Sequence, residues 1–340
     1  MASEIGETMK AVVIKQVGGP EVFSYEDFPT PKLNNPTDVL IKLVYTGINY
    51  IDTYHRTGLY TLPLPAILGR EGAGVVAAVG SSVTSLAVGD RVAFVGPNTY
   101  AQYAVLPEDK VVRVPEGVTL AQATAAMLQG LTTQFLVRST YAVKAGDSVL
   151  VHAAAGGVGG LIVQAAKALG ATVIATVSSE AKAEVARAHG ADHVINYSLF
   201  DKATVDEHVR AVNGGHGVHV VYDGVGKDTW MGSLKSLRKR GTLVLFGNAS
   251  GPVPSFDPLL LSKHGSLFVT RPTLFDHLLD REELEGRVKD LFSWIADGKL
   301  KVSVYDTLPL EKVAEAHTLI ESRAATGKVL ILIDEEKANL

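Results

Sequence analysis

Cysteine is absent from the 340 residues. Its absence excludes disulfides, thiolate catalysis and any cysteine-ligated zinc, and it fits a reducing compartment. No apolar run approaches the length needed to span a bilayer. Residues Met1 to Met9 are polar and acidic with no apolar core, so they do not read as a signal peptide. Positive charge is not in excess either. The 32 Lys and Arg against 36 Asp and Glu leave a net charge of −4, so no global positive field recruits nucleic acid or an anionic membrane surface. What remains is an ordinary globular composition, 46% apolar and 20% charged. The length allows about two domains with a substantial core. The expectation is a cytoplasmic protein without a membrane partner.

The chain is organised around the stretch Val149 to Leu169. A β-branched run, Val149-Leu150-Val151-His152, turns through Ala153-Ala154-Ala155-Gly156-Gly157-Val158-Gly159-Gly160. Apolar residues then recur at helical spacing at Val158, Leu161, Ile162, Ala165, Ala166 and Leu169. Strand, glycine turn and helix in that order suit a diphosphate. Glycines let the backbone approach the anion, and the free N–H groups of the helix's first turn point at it. The pattern reads Ala154-x-Gly156-x-x-Gly159, with alanine where the usual fingerprint has its first glycine. A second β-branched run, Thr172 to Val177, follows at the spacing of a βαβ unit, which favours dinucleotide binding over a plain crossover.

Either side of this stretch the patterning changes. Residues 10 to about 130 carry short alternating runs at Lys10 to Val17, Val39 to Tyr45, Gly72 to Val79, Arg91 to Val95 and Tyr103 to Leu106, separated by Gly/Pro/Asn turns. They predict a partly open β-barrel. Ala121 to Val137 reads as a helix leading into the next domain. Strands are then expected at Ser148 to His152, Thr172 to Val177, His193 to Asn196, Val218 to Tyr222, Thr242 to Phe246 and Leu267 to Thr270, with helices including Glu180 to His189, Lys202 to Val212 and Lys227 to Leu237. Such alternation specifies an α/β, doubly wound parallel sheet. Arg281 to Asp297 and Leu310 to Glu321 read as helices, and Lys328 to Ile333 as a closing strand that rejoins the first domain. The expected architecture is a Rossmann domain (131–270) inserted into a discontinuous barrel-like catalytic domain (1–130 and 271–340), with the site in the cleft between them.

At this point the residues resemble a known family. Met9-Lys10-Ala11-Val12-Val13, Gly18-Gly19-Pro20-Glu21-Val22, Gly47-Ile48-Asn49-Tyr50-Ile51-Asp52 and Val88-Gly89-Asp90-Arg91-Val92 occur in order. They precede the glycine turn, Phe246-Gly247-Asn248 and Val269-Thr270-Arg271-Pro272. The set resembles the zinc-independent, medium-chain NADPH:quinone oxidoreductases, relatives of zeta-crystallin, over nearly the whole chain. The resemblance implies a GroES-like barrel plus a Rossmann domain, NADPH as cofactor, and a homodimer or higher oligomer. Zinc-dependent alcohol dehydrogenases of this fold use a cysteine near the position of Ile48 or Asn49 and a Gly-His-Glu triplet. Here the triplet is Gly69-Arg70-Glu71. The nearest histidine pair, His216-x-x-His219, spans a glycine-rich turn and a strand start and reads as solvated. No metal site is expected, and without a Lewis acid an alcohol or ketone loses its usual means of polarisation.

NAD-specific Rossmann domains place an acid at the end of the second strand. That end here is Val177-Ser178-Ser179-Glu180-Ala181-Lys182. Ser178 tolerates a phosphate and Lys182 supplies charge; Glu180 would repel a phosphate but points elsewhere on the helix. Resemblance adds Tyr197 and Arg323 to the 2′-phosphate pocket. Charge-assisted hydrogen bonds contribute about 1.5–3 kcal/mol each, so two would give an NADPH preference on the order of 10²-fold. Resemblance also places Thr132 near the nicotinamide ribose and diphosphate. It sets Phe246, Gly247 and Asn248 at the end of the fifth strand, and Val269, Thr270 and Arg271 beside the nicotinamide. Core packing is the competing role for Phe246 and Val269. The cofactor contacts expected of the turn itself are Ala154, Gly156, Gly157, Val158 and Gly159.

Asn49 to Tyr60 is the densest polar and aromatic cluster of the first domain. Asn49, Tyr54 and Tyr60 resemble the family's active-site residues. Asn49 can donate to a carbonyl or to the nicotinamide carboxamide, and the tyrosines offer an aromatic wall and hydroxyl donors. Asp52 reads as a loop or cap residue. A quinone is already electrophilic, so the site's task is to hold a flat ring against the nicotinamide and exclude water. The expected function is NADPH-dependent reduction of a small planar quinone. Two alternatives stay open. One is reduction of 2-alkenals, enones or enoyl thioesters, with Tyr60 as proton donor; the thioester version wants a basic entrance, for which Arg56 and Arg271 are scattered candidates. The other is an NADPH- or RNA-binding or crystallin-like role without catalysis. The acidic net charge speaks against nucleic acid as the primary partner. The local run Lys235-Ser236-Leu237-Arg238-Lys239-Arg240 reads as a helix C-terminus, where cations complement the dipole.

Overall fold

A computed structural model describes residues 5–201 and 204–338. The first four residues of the N-terminal stretch Met1 to Met9, and Lys202 of the expected helix Lys202 to Val212, therefore lie outside the described residues. The chain divides into two compact units. One comprises residues up to Leu128, Asp280–Glu285 and Val302 onward; the other comprises Gln129–Leu279 and Gly286–Lys301. The composition shifts placed these boundaries at 130 and 270.

The first unit opens with β1 (Thr8–Ile14), β2 (Phe23–Pro29), β3 (Asp38–Gly47), α1 (Tyr50–Arg56), β4 (Ala66–Ile67), β5 (Glu71–Val79), β6 (Arg91–Val95), β7 (Tyr103–Pro107) and β8 (Val111–Arg113). Helix α2 (Leu120–Phe135) follows and closes in a wide turn over Leu136–Thr140, with Tyr141 N–H donating to Leu136 C=O. The second unit continues with β9 (Ser148–Val151), α3 (Gly157–Ala168), β10 (Thr172–Val177), α4 (Glu180–Ala188), β11 (His193–Asn196), α5 (Val205–Val212), β12 (Val218–Asp223), α6 (Trp230–Ser236), β13 (Leu237–Leu245), α7 (Leu259–Lys263) and β14 (Phe268–Thr270). The tail supplies α8 (Arg281–Ala296), β15 (Val304–Pro309), α9 (Val313–Glu321) and β16 (Lys328–Leu332). Among the described residues no helix is long and apolar enough to cross a membrane.

In the first unit β3 is the central strand. It pairs antiparallel with β16, β5 and β7, which explains its almost unbroken burial and why its single lysine, Lys42, needs Asp334 at 2.7 Å. The full order is β15-β16-β3-β5-β6-β8, with β7 also on β3, and β2-β1-β4 forms a second sheet. The closing strand does rejoin this unit, in parallel with β15 and antiparallel to β3. Strands β2 and β15 escaped the sequence reading because they lie at sheet edges, and their half-exposed residues show no apolar alternation.

The second unit's sheet is parallel throughout, in the order β11-β10-β9-β12-β13-β14. Numbered within the unit this is 3-2-1-4-5-6, the doubly wound order that reverses beside its first strand and binds ligands at the carboxyl ends there. Two readings need correction. The run Lys235 to Arg240 is a helix C-terminus only at Lys235 and Ser236, the end of α6; β13 begins at Leu237, pairing with Val218 across a register shift, so Arg238, Lys239 and Arg240 lie exposed on a strand. Of the histidine pair, His216 is exposed as expected, but His219 is half-buried. It sits on β12, where its Nδ1 accepts from Ser148 N–H at 3.0 Å, and burial lowers its pKa.

Candidate active site

The glycine turn lies between β9 and α3 at the carboxyl end of the sheet. Gly156 is the N-cap of the 12-residue helix, with no side chain capping the first-turn N–H groups. A Cβ on Gly159 would overlap the Ala153 carbonyl oxygen and sit 2.9 Å from its carbonyl carbon. On Gly157 it would meet the Gln129 side chain. The turn is thus a cradle of bare backbone, which suits a diphosphate. Alanine at 154 is explained. The left-handed residue is Ala153 (φ +50°), while Ala154 is buried and donates its N–H to Thr176 C=O. Val158 lies in the helix's first turn, and Thr132 is half-buried on α2, one turn beyond Gln129.

At the end of β10 the structure brings Ser178 and Lys182 together, the Lys182 ammonium donating to Ser178 Oγ at 3.2 Å. Glu180 is exposed, its carboxylate 2.9 Å from the Arg187 guanidinium. Tyr197 follows β11 and packs half-buried against the core of this unit. Past β13, a Cβ on Gly247 would overlap the Gly224 carbonyl oxygen, while one on Gly224 would meet the Phe246 ring at 2.8 Å. Asn248 follows in the same turn, its C=O accepting from Gly251 N–H. Val269 packs on the core, and Val269 and Thr270 line a cavity of about 370 Å³. Arg271 donates to Leu245 C=O at 3.1 Å. Arg323 belongs to the first unit, exposed after α9 at φ +61°. Sequence reasoning missed His152. It is buried, with Nδ1 2.8 Å from Thr176 Oγ1 and Nε2 2.9 Å from Ser233 Oγ, which donates to Asp223. This network ties the carboxyl ends of β9, β10 and β12; a lone histidine after a β-branched run gave no signal of it.

In the first unit α1 orders the polar cluster. Tyr54 and Tyr60 do meet, edge to face at 5.3 Å, and Tyr60 also meets His55 at 5.7 Å. Asn49 is placed differently. It is buried, its amide nitrogen donating to Glu71 Oε1 at 2.8 Å and to Gly47 C=O at 3.3 Å, while its oxygen accepts from Lys328 at 2.7 Å. Both amide hydrogens are thereby committed within the protein, so Asn49 acts here as a link between α1 and the fully buried Glu71–Lys328 ion pair. Arg56 is no entrance cation. It is buried, donating to Glu321 at 2.7 Å and to Gly18 C=O at 3.1 Å.

Asp52 was underestimated as a cap. It does accept from Asn49 N–H at 2.8 Å, but it also heads a buried chain. Arg56 can only donate, so His317 Nδ1 accepts from it at 3.1 Å. His317 Nε2–H then donates to the Tyr100 oxygen at 3.1 Å, and Tyr100 O–H donates to Asp52 Oδ2 at 2.8 Å. Burial pushes Asp52 up to about 7, against the pull of Tyr100, Asn49 N–H and the Lys328 charge. Burial, helped by the Arg56 charge, holds His317 down at about 3.

The two shifts oppose each other in stability. Between about pH 4 and 6.5 the folded state binds one more proton than the unfolded at Asp52 and one fewer at His317, so the net slope from this pair is near zero. His317→Gln keeps an acceptor for Arg56 and a donor for Tyr100 but removes one side of that balance. Its unfolding free energy should then fall by about 1.4 kcal/mol per pH unit as pH rises through this window. Denaturant titrations at several pH values check it; equal slopes in both proteins would refute it.

Among the described residues no three His, Cys, Asp or Glu side chains converge as metal ligands. The place of the histidine in the zinc enzymes' triplet is taken by Arg70, half-buried, with one guanidinium nitrogen 2.8 Å from His55 Nε2.

The fold and the glycine cradle together define a pyridine-nucleotide-dependent dehydrogenase or reductase. Residues 35–116 match the family model described as alcohol dehydrogenase GroES-like domain, and 157–294 the one described as zinc-binding dehydrogenase. The chain is 46% identical to the quinone oxidoreductase of Pseudomonas aeruginosa over 95% of its own length and 99% of that protein's. It is 43% identical to the 2-haloacrylate reductase of a Burkholderia species, over 95% and 98%. The crystal structure of Escherichia coli quinone oxidoreductase complexed with NADPH superposes with a TM-score of 0.91 at 42% identity, covering 95% of this chain and 99% of that one. The chain belongs to the quinone oxidoreductase family of the medium-chain dehydrogenase/reductases.

Proposed function

We propose that this protein is a cytoplasmic, homodimeric NADPH-dependent quinone reductase that works without a metal. The observation that carries the reading is the whole-chain match to a quinone oxidoreductase complexed with NADPH. The bare cradle at Gly156–Gly159 and the Ser178–Lys182 pair support it, because both suit a phosphorylated dinucleotide. NADPH, when bound, supplies the hydride. The first-turn N–H groups of α3 would hold its diphosphate, and Ser178, Lys182 and Tyr197 its 2′-phosphate. Thr132, Phe246, Gly247, Asn248, Val269, Thr270 and Arg271 border the ribose and nicotinamide. The edge-to-face pair Tyr54–Tyr60 walls a flat ring. A second reading, reduction of an activated alkene, is favoured by the 2-haloacrylate reductase relative.

The test is NADPH oxidation, followed by absorbance, with 1,2-naphthoquinone and trans-2-hexenal as parallel acceptors and NADH as control. Turnover with the quinone supports the proposal; turnover with the enal alone overturns it in favour of the second reading. Lys182→Ala should lower the preference for NADPH over NADH by roughly 10- to 10²-fold, the worth of one charge-assisted hydrogen bond. An unchanged ratio would remove Lys182 from the phosphate pocket.

A further inference from the structure

Against α1 lies a cavity of about 330 Å³ within the first unit, walled by apolar residues such as Phe28, Leu62 and Leu68 and by four polar ones, Asp52, His55, Arg70 and Asn98. Asp52 is 1% exposed, and its two oxygens are treated unequally. Tyr100 O–H and Asn49 N–H pin Oδ2, while Oδ1 is buried with no hydrogen-bond partner. Leaving a buried carboxyl oxygen unpaired is costly, so the position calls for a partner that the protein does not supply. Arg70 complements it. Its guanidinium makes one hydrogen bond, to His55, and among the described residues its other N–H donors have no protein acceptor.

We infer that this cavity receives the oxygen of the electron acceptor, a quinone of one or two rings, with Arg70 donating to that oxygen and Asp52 protonating it through Oδ1. The inference rests on the quinone-reductase reading. A quinone becomes a hydroquinone by gaining a hydride and a proton, and NADPH brings only the hydride. The O–H bond of the product forms as the Oδ1–H bond of Asp52 breaks. The carboxylate left behind is held by Tyr100 O–H, Asn49 N–H and the positive charge of Arg70, and it regains its proton from water when the product leaves. Asp52 can store that proton near neutrality because burial raises its pKa to about 7. The charged and titratable groups facing it are Tyr100, Lys328, Glu71 and Arg70, with His317 and Arg56 acting through Tyr100. His55 carries the arrangement to the tyrosine pair, through its contact with Tyr60.

The wild-type enzyme tests this without mutation: kcat with 1,2-naphthoquinone should fall as pH rises through about 7 and should show a solvent deuterium isotope effect. Asp52→Asn should lower kcat by roughly 10²-fold, the usual size of a general-acid contribution, abolish the inflection, and leave NADPH affinity by fluorescence titration unchanged. Arg70→Met should raise KM for the quinone more than it lowers kcat, and Arg70→Lys should recover part of the loss. A flat wild-type profile with no isotope effect, or a folded Asp52→Asn enzyme with unaltered kcat, would overturn the inference while leaving the quinone reading intact. A wild-type protein that binds NADPH but turns over no quinone would overturn that reading itself.

Discussion

Lys328→Met should be among the most destabilising single substitutions in the molecule, with a loss of about 3–5 kcal/mol. Lys328 on β16 and Glu71 on β5 are both fully buried and ion-paired. Removing the ammonium leaves Glu71 to be charged in the interior with only Asn49 Nδ2 and Leu128 N–H to satisfy it. Asn49 would lose its oxygen's partner at the same stroke. A domain stability of about 5–15 kcal/mol makes that loss a large fraction of the whole, and it corresponds to a fall in Tm of roughly 10 °C. The double variant Glu71→Gln/Lys328→Met should recover most of it, because a buried ion pair removed whole costs far less than one broken in half. Thermal melts of the two variants give the answer, and a single variant as stable as the parent would show the pair to be unimportant.

This pair also shows where sequence reading stops. The dinucleotide-binding unit was legible nearly strand by strand, because each buried parallel strand is a short β-branched run and each crossover helix carries an apolar stripe. Residues Thr172–Val177 and His193–Asn196 emerge as strands at the expected bounds. In the other unit, pairings join residues far apart in sequence. Lys328 lies 279 residues from Asn49, and His317 lies 217 from Tyr100. No local period encodes such partners, and a buried lysine or arginine in a sequence looks like any solvated one. Asn49 therefore reads as a donor to a carbonyl or to the nicotinamide carboxamide, whereas in the structure its amide serves Glu71, Gly47 and Lys328. Asp52 reads from the sequence as a cap and His317 gives no signal, although the fold joins the two through Tyr100. Tyr54 and Tyr60, by contrast, are close along the chain, and a helix followed by a tight loop brings them into contact.

Gly159→Ala should abolish tight NADPH binding, whereas Gly156→Ala should weaken it only slightly, although the two positions look equivalent in the motif. Gly156 has φ −84°, a conformation open to alanine, and its added Cβ would lie 3.2 Å from the Ala153 carbonyl oxygen, a contact relieved by a small shift. At Gly159 the Cβ would overlap that same oxygen and press on the carbonyl carbon and on the Ala154 Cα, all of them main-chain atoms. The turn cannot yield there without moving Ala154, whose N–H is bonded to Thr176 on the adjacent strand. Forcing a methyl into packed backbone costs about 1–3 kcal/mol. Here the strain falls on the N–H groups that must converge on the diphosphate, so an affinity loss on the order of 10²-fold is expected. Fluorescence titration with NADPH measures both variants, and circular dichroism checks that each retains its fold. If the two lost affinity equally, close helix–strand approach would not be what the last glycine provides. If Gly159→Ala bound NADPH like the parent, the diphosphate would have to lie elsewhere than at the head of α3.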